Sequence, residues 1–540
     1  MSTAYYNGIV YTGNGSFEEA FLVRDGVFEK VGSTDEILSS VTLPDERVDL
    51  AGVFVCAGFN DSHMHLLNFG QFLHGARLAE HTGSLQEMLD YLRAFLCENP
   101  LRPGQWLKGR GWNQDYFADT DRMPDRYDLD SVSTEVPVRL TRACGHCCVV
   151  NSVALELAGI DRNTADPDGG TIGRDMDGEP DGCLYENAIE LLNPFMPQPD
   201  KEALKEMLML AMAEVNRYGI TSVQTDDYST FRGVSWHLIN EAYRELEAEG
   251  KMTVRVNEQC NFTELAELRK FIEAGNMTGA GSDFFRIGPL KLLGDGSLGS
   301  RTAHLSMPYL NENNYGISLS DPEYLKEIVT YAHLNGMQIS VHAIGDKCLD
   351  EVLDAYEAAL NGSPRPDHRH GIVHCQISRA DQLERMARLG LHVYAQSIFL
   401  DYDNHIVEKL VPPELSQTSY SWKTLLDKGV CVSNGSDCPV ELPNVMAGIQ
   451  CAVTRCSLDG FGPFLPSEAF TVQDALESFT TAGARASFEE NKKGCIREGM
   501  LADFVILSED PFRTEPTDLH NIKVLSTYLG GKKVFDNRFS

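Results

Sequence analysis

The chain has 540 residues, of which 42% are hydrophobic, so it is long enough for one large domain and a smaller second one. Its 46 basic and 79 acidic residues give a net charge of −33, which argues against nucleic acid or an anionic membrane surface as the main partner. No run of 18 or more apolar residues is present, and the N-terminus lacks the layout of a signal peptide, so a cytoplasmic location without a membrane span is expected.

Short β-rich runs separated by Gly, Asn and Asp turns fill the first 57 residues. Similar runs return near the C-terminus, as GCIREGMLADFVIL and VLSTYLGGKKVFD. A strand-rich start and a strand-rich finish around a long α/β middle predict one small β-sandwich domain assembled from both termini, residues 1–57 plus 485–540. The middle of the chain, 58–484, is then a second domain.

From about residue 200 the sequence alternates strand-like and helix-like segments. The helical segments include KEALKEMLMLAMAEVNRYG, DPEYLKEIVTYAHLNG and SRADQLERMARLG, with apolar residues at helical spacing. If VFVCAGF counts as the first strand, there are eight, the others lying at 219–227 and 252–260 and in runs starting at 285, 338, 369, 392 and 430. Eight strands, each followed by a helix, predict an α/β fold, a (β/α)₈ TIM barrel whose active site collects at the C-terminal ends of the strands.

About 150 residues separate the first and second of these strands, which is far more than one crossover helix needs. The sequence therefore predicts a large insertion, with an inserted subdomain at about 70–205. It contains the aromatic-rich GRGWNQDYF and the turn-rich DPDGGTIGRDMDGEPDG. We expect this subdomain to cap the mouth of the barrel.

Polar residues follow several of the predicted barrel strands. His63 and His65 are two apart at the end of the first strand, so their imidazoles share a face and make a good half-site for a transition metal, although the pair alone does not establish one. Later strands contribute Lys291, His342, His374 and Asp437. Two metals would need an anionic bridge, which a lysine ammonium cannot supply but a carbamate formed with CO₂ can. Ordinary buried histidines and an ion pair of Lys291 with Asp295 or Asp437 are the alternatives.

Six motifs, GFNDSHMHL, KLLGDGSLGSRTA, VHAIGD, HCQ, NGSDCPV and GCIREGMLADFVIL, resemble the amidohydrolase superfamily, specifically its amidohydrolase-3 branch of metal-dependent hydrolases. The resemblance extends into the insertion through GRGWNQ, RACGHCCVVNS and DGCLYENA, so it covers nearly the whole chain.

The resemblance implies a ligand set. His63 and His65 bind one metal, His342 and His374 bind a second, carboxylated Lys291 bridges the two, and Asp437 binds metal and shuttles a proton. Two Zn²⁺ ions are expected, although one metal, or Fe, Mn or Ni, remains open. The carbamate on Lys291 derives from CO₂.

Further residues are candidate contacts of the substrate. His146 in the insertion is either a donor to the substrate carbonyl or an ordinary loop histidine. Salt bridges and core packing are the alternatives for the remaining candidates, which are Trp112, Glu186, Asp295, Arg301 and His304.

These residues predict hydrolysis of a C–N amide bond in a small molecule by attack of metal-bound hydroxide. The resemblance implies an N-substituted formamide or N-acyl amine as the substrate. Deamination or the opening of a cyclic amide at the same site is the alternative, and a non-catalytic barrel scaffold is a third hypothesis. The superfamily resemblance also implies a homo-oligomer, with a dimer as the expected state.

Overall fold

The computed structural model describes most of the chain, and within it no helix is long and apolar enough to cross a membrane. The chain divides into two compact units, residues 1–67 with 211–540, and residues 68–210. Each unit has its own sheets and its own core. The described residues are 2–41, 46–102, 104–143, 147–167 and 169–537.

The N-terminal segment forms strands, as its β-rich composition predicts. Its helix α1 begins with a capping box, in which the Ser33 hydroxyl accepts a hydrogen bond from the N–H of Glu36 and the Glu36 carboxylate accepts one from the N–H of Ser33. The elements are β1 (Ser2–Tyr6), β2 (Ile9–Gly13), β3 (Ser16–Glu18), β4 (Ala20–Arg24), β5 (Val27–Gly32), α1 (Thr34–Ser40), β6 (Glu46–Asp49) and β7 (Phe54–Ala57).

The first barrel strand, β8 (Phe59–Met64), begins two residues after β7 ends. The N–H of Gly58 donates to Asp503 O, whereas the N–H of Phe59 donates to Gly219 O, so the chain passes from one sheet to the other here. A Cβ on Gly58 would lie 2.3 Å from the Thr221 hydroxyl oxygen, so glycine is required. The predicted strand VFVCAGF is therefore wrong as the first barrel strand. Most of it is β7 of a terminal sheet.

The insertion forms a six-stranded sheet with strand order β13-β14-β12-β11-β10-β9 and its own apolar core. It lies in the chain between the first and second barrel strands, as the sequence predicts. Its elements, with the helices that connect it to the barrel, are α2 (Leu66–His74), β9 (Ala76–Arg77), α3 (Leu85–Glu98), β10 (Leu107–Trp112), α4 (Arg126–Asp130), β11 (Val138–Arg142), β12 (Cys147–Val150), α5 (Ser152–Ala158), β13 (Gly170–Arg174), β14 (Pro180–Glu186) and α6 (Lys201–Arg217).

The seven remaining barrel strands follow, and with β8 they form one eight-stranded parallel sheet in chain order. The predicted TIM barrel is confirmed. Its elements are β15 (Ile220–Thr225), α7 (Trp236–Ala248), β16 (Arg255–Asn261), α8 (Leu265–Glu273), β17 (Phe285–Leu293), α9 (Pro322–Leu334), β18 (Ile339–Ala343), α10 (Asp346–Gly362), β19 (Gly371–His374), α11 (Ala380–Leu389), β20 (His392–Ala395), α12 (Leu400–Asp403), α13 (Val407–Leu410), α14 (Pro413–Ser416), α15 (Trp422–Asp427) and β21 (Cys431–Asn434).

Backbone hydrogen bonds between the segment after β21 and the end of the first barrel strand close the barrel. The N–H of Asp437 donates to His63 O, and the N–H of His65 donates to Cys438 O, both at 2.8 Å. A Cβ on Gly435 would lie 2.5 Å from the backbone nitrogen of His63, so only glycine allows this approach. The closure brings the last barrel strand beside the histidines of the first.

The C-terminal segment completes two terminal sheets, with orders β5-β4-β1-β6 and β24-β23-β22-β7-β2-β3. Their shared core contains Tyr5 of the first sheet and Phe504 of the second, whose rings meet edge to face at 5.1 Å. The predicted β-sandwich from both termini is confirmed. The last elements are α16 (Val445–Thr454), α17 (Val472–Ser478), α18 (Thr481–Ala486), β22 (Phe504–Leu507), β23 (Val524–Leu529) and β24 (Lys532–Asp536).

Candidate metal centre

The two histidines of the first barrel strand face the same carboxylate. His63 lies in β8 and His65 follows the strand by one residue, so alternation places both imidazoles on one face. Nε2 of His63 is 3.3 Å from Asp437 Oδ1, and Nε2 of His65 is 3.1 Å from the same oxygen. The predicted pair from strand one therefore converges with the predicted acid from strand eight.

A buried acid fixes the segment that carries Asp437. Asp61 accepts hydrogen bonds from the hydroxyl of Ser436 at 2.5 Å and from the N–H groups of Ser436 and His63. Burial raises the pKa of Asp61 to about 7, against the opposing effect of these hydrogen bonds. Asp437 itself has a φ of 58°, a left-handed conformation that aspartate tolerates better than most residues. Asp61 thus connects the two strands that supply the histidines and the acid.

His374, the last residue of β19, joins the same group. One ligand atom from each of His63, His374 and Asp437 lies within 4.8 Å of the other two. The φ of His374 is 74°, and the indole N–H of Trp422 donates to its backbone carbonyl at 3.1 Å. A turn outside the ordinary backbone range, fixed by a buried tryptophan, therefore orients this imidazole.

His342 lies near the end of β18, next to His374, but its side chain takes a different direction. The two ring centroids are 4.5 Å apart. Nε2 of His342 lies 2.9 Å from the backbone oxygen of Gly296 and 3.3 Å from Asp295 Oδ1. The structure therefore places His342 beside the group of His63, His374 and Asp437, with Nε2 hydrogen-bonded to the loop after β17.

Lys291 in β17 is almost completely buried, with 1% of its surface exposed. Burial lowers the pKa of its amine, and the negative charges of Asp226 and Asp437 oppose that shift. Neither predicted ion pair, with Asp295 or with Asp437, is present among the salt bridges of the described residues. Because burial disfavours the charged form of the Lys291 amine, the residue is suited to being neutral and nucleophilic toward CO₂.

The surroundings shift the pKa values of the groups at the centre in different directions. Burial raises the pKa of Asp437, but its contacts with the His63 and His65 imidazoles outweigh burial and hold that pKa well below the ordinary value. Burial lowers the pKa of His65, yet its hydrogen bond to Asp437 and the Asp437 charge reverse this and raise it to about 9. Burial also lowers the pKa of His63 and His374. Asp437 is the carboxylate of the group, and His63 and His374 are neutral imidazoles.

This donor set fits a divalent metal ion. Neutral imidazole nitrogens and one carboxylate oxygen are the ligands that zinc and related ions prefer. The group of His63, His374 and Asp437 draws on three separate barrel strands or the segments that follow them, which is typical of a TIM-barrel active site. His65, Lys291 and His342 lie around the group, and their part in coordination stays a prediction.

Three of the predicted substrate contacts lie on the loop after β17. Asp295 is buried and accepts hydrogen bonds from the N–H groups of His304, Ile344 and Gly345. Nδ1 of His304 is 3.6 Å from Glu351 Oε1, and Arg301 forms an ion pair with Glu312 at 2.6 Å. Asp295 therefore orders this loop, and a direct contact of any of the three with substrate stays a prediction.

The other predicted contacts belong to the insertion. Trp112 is fully buried in the core of that unit and donates its indole N–H to Leu140 O at 3.1 Å. Because its side chain has no exposed surface, contact with a substrate would require that core to open. Glu186 ends β14 on the surface with a φ of 48°. His146 lies outside the described residues, and its role stays a prediction.

Gln259 and Gln396 also belong to the centre, and the sequence did not point to them. Oε1 of Gln259 lies 2.6 Å from Nδ1 of His63, and Oε1 of Gln396 lies 2.7 Å from Nδ1 of His374. Metal-binding histidines usually donate their second N–H to such an acceptor. This rule predicts that acceptors exist, but no spacing in the sequence identifies which residues they are.

Comparison with known proteins identifies the family. A family model described as the amidohydrolase family matches residues 46–535. The chain belongs to the amidohydrolase family. This amidohydrolase is 33% identical to the Bacillus subtilis protein YtcJ, which bears an amidohydrolase name, over 99% of this chain and 100% of that protein.

Two further relatives bear names that describe an activity. The amidohydrolase is 28% identical to the N-substituted formamide deformylase of Arthrobacter pascens, with 96% of this chain and 94% of that protein covered. Among solved structures it resembles a metal-dependent hydrolase from Pyrococcus furiosus, with 28% identity, a TM-score of 0.78, and 95% of this chain and 100% of that chain covered. The family, the fold and the hydrolase class predicted from the motifs are confirmed.

Proposed function

We propose that this amidohydrolase cleaves the C–N amide bond of a small molecule and that N-substituted formamides or N-acyl amines are its substrate class. The observation that carries the proposal is the convergence of His63, His374 and Asp437, whose ligand atoms lie within 4.8 Å of one another. The substrate class is supported by the likeness to the formamide deformylase of Arthrobacter pascens.

His63, His65, His374 and Asp437 would hold a divalent ion, with zinc proposed because it takes nitrogen and carboxylate donors. Lys291 as a carbamate and His342 would complete a second position. A bound divalent ion lowers the pKa of its water from 15.7 to about 7 and polarises a carbonyl oxygen.

Asp437 performs the proton transfers. Its pKa is held well below the ordinary value, so the carboxylate is ionised and can accept a proton from the attacking water. The water oxygen bonds to the carbonyl carbon, and the C–N bond breaks as Asp437 returns the proton to the leaving nitrogen. The products are a carboxylic acid and an amine, and Asp437 is ionised again at the end of the cycle.

The direction of the His342 side chain favours one alternative. Its Nε2 is hydrogen-bonded to Gly296 O, which supports a centre with one metal. A one-metal centre also suits deamination or the opening of a cyclic amide. The metal content per chain and a substrate panel of formamides, N-acyl amines, cyclic amides and aminopurines separate the two chemistries. The cytoplasmic location and the homodimer stay predictions.

The test is metal removal and reconstitution with an N-substituted formamide as substrate. Formate and amine should appear in equal amounts, activity should disappear on chelation, and divalent ion should restore it. His63→Ala should lose both metal and activity. Metal-free protein that hydrolyses the formamide at the original rate would overturn the proposal.

A further inference from the structure

We propose that Gln259 and Gln396 are positioning residues that hold His63 and His374 in the tautomer with hydrogen on Nδ1, so that each Nε2 lone pair is available to the metal. The inference deepens the proposed function and rests on it. It concerns the side chains behind the imidazoles.

The contact between His63 and Gln259 determines the tautomer. Gln259 lies in β16, the third barrel strand, and both side chains are buried. The amide Nε2 of Gln259 donates to Ser62 O at 3.1 Å. Because that carbonyl can only accept, the amide oxygen of Gln259 must face Nδ1 of His63, at 2.6 Å. Nδ1 therefore carries the hydrogen, and Nε2 is the free donor atom.

The contact between His374 and Gln396 repeats this arrangement behind a second histidine of the centre. Gln396 follows β20, and its amide Nε2 donates to Tyr394 O at 3.0 Å. Its Oε1 accepts from Nδ1 of His374 at 2.7 Å. The same arrangement thus occurs twice: a backbone carbonyl fixes the orientation of the glutamine amide, and the amide oxygen fixes the tautomer of the imidazole.

The acceptors behind these histidines are all uncharged. His65 donates from Nδ1 to the backbone oxygen of Asp226 at 3.0 Å, which adds a third neutral acceptor. A carboxylate in such a position raises the basicity of the imidazole, whereas an amide or peptide oxygen does so less. With neutral acceptors, each imidazole nitrogen donates its electron pair to the metal less strongly. A bound ion would then be a stronger Lewis acid toward its water.

Another buried glutamine provides the matched control. Gln224 in β15 is fully buried, and its amide donates to Gly483 O at 3.0 Å, as Gln259 donates to a carbonyl. Its described hydrogen bonds involve Gly483 and Asn257 and no histidine. Gln224→Leu therefore removes a buried amide without removing a hydrogen bond to an imidazole.

The experiment measures the metal dissociation constant of the full chain by competition with a chromogenic chelator, using Zn²⁺ as the probe. Gln259→Leu and Gln396→Leu should each weaken binding by about 10-fold to 100-fold, and Gln224→Leu should leave it within about twofold. Circular dichroism of the apo proteins checks folding. If one glutamine variant does not fold, the other carries the test.

A carboxylate in place of the amide separates positioning from packing. Gln259→Glu keeps an acceptor for Nδ1, so it should retain metal affinity, and the acidic limb of its pH–rate profile should move to higher pH. If the wild-type protein binds metal and both leucine variants bind it as tightly as Gln224→Leu, the inference is overturned and the proposed function is not. Wild-type protein that hydrolyses amides without metal would overturn the proposed function, and the inference with it.

Discussion

Asp437 occupies the centre of the charge arrangement, because its Oδ1 contacts the Nε2 atoms of both His63 and His65. The two imidazoles hold the pKa of this acid low. An ionised carboxylate in this position can bind metal and accept a proton, and these are the two roles the resemblance implies.

Asp437→Asn is the sharpest change of one residue. The amide has nearly the same shape, so the hydrogen bond from the Asp437 N–H to His63 O should persist, but the side chain can no longer accept a proton. We expect kcat to fall by a factor of about 10² to 10⁴, the usual contribution of general acid–base catalysis. Steady-state kinetics with metal in excess measures this. An unchanged kcat would remove Asp437 from the proton-transfer step.

Lys291 is the second residue-scale test, because it is buried and has no salt bridge to a described acid. Protein prepared in ¹³C-bicarbonate should show a carbamate carbon signal by NMR, and Lys291→Ala should lack it. The variant should also hold less metal per chain. Active wild-type protein without the signal would show that Lys291 is an unmodified amine.

The candidate ligand residues were predictable from the sequence because histidines, a lysine and an aspartate at the ends of separate barrel strands are typical of a metal centre. Gln259 and Gln396 were not, since a buried glutamine in or just after a strand has no characteristic spacing. The direction of the His342 side chain was also unpredictable, because it depends on a hydrogen bond to the carbonyl of Gly296 on a distant loop.

At the scale of elements, a chain of buried histidines connects α9 to the start of β19. The N–H of Ile339 donates to Nδ1 of His370, so Nε2 of His370 carries the hydrogen and faces Nδ1 of His333 at 2.9 Å. Nε2 of His333 then donates to Ser363 O at 2.6 Å. Each of these four ring nitrogens has a defined hydrogen-bond role.

This network predicts a pH dependence of stability. Burial and neighbouring positive charges hold the pKa of His370 well below its ordinary value. The unfolded chain binds a proton at this histidine below about pH 6.5 and the folded chain does not, so the free energy of unfolding falls as the pH drops below that value. His370→Leu should have a lower free energy of unfolding than the wild type at pH 8. Between pH 6 and 5, the variant should lose less of this free energy than the wild type does, by up to about 1.4 kcal/mol per pH unit. Urea unfolding measures both, and equal slopes would contradict the account.

The strands and helices of the barrel were predictable because each combines a buried run with turn residues and an amphipathic helix. The boundary between β7 and β8 was not. A continuous apolar run shows that a segment is buried, but it does not show which sheet it pairs with. Here the change of partner at Gly58, from Asp503 to Gly219, divides one apolar run between two sheets.

At the scale of the whole molecule, a buried ion pair links the barrel to the sandwich. Arg255 of β16 donates to both oxygens of Asp503, at 2.6 and 3.0 Å, and the N–H of Gly530 donates to the same acid at 2.7 Å. The side chains are 5% and 4% exposed. Removing one member would leave a charge buried without its partner.

Asp503→Ala should therefore lower the free energy of unfolding by about 3–5 kcal/mol. The matched control is Glu29→Ala, which breaks an exposed ion pair with Arg24. The side chain of Arg24 is 46% exposed and that of Glu29 is 37% exposed. That change should cost about 0.2–1 kcal/mol. Denaturant unfolding measures both. Equal losses would show that the Arg255–Asp503 pair does not stabilise the contact of barrel and sandwich.

The central claim is that metal binds where the first, sixth and eighth barrel strands meet. Anomalous diffraction from crystals of active protein, recorded on both sides of the absorption edge of the bound metal, tests it most directly. We predict a peak within bonding distance of Nε2 of His63, Nε2 of His374 and a carboxylate oxygen of Asp437. Active, fully loaded protein whose metal lies away from these three residues would contradict it.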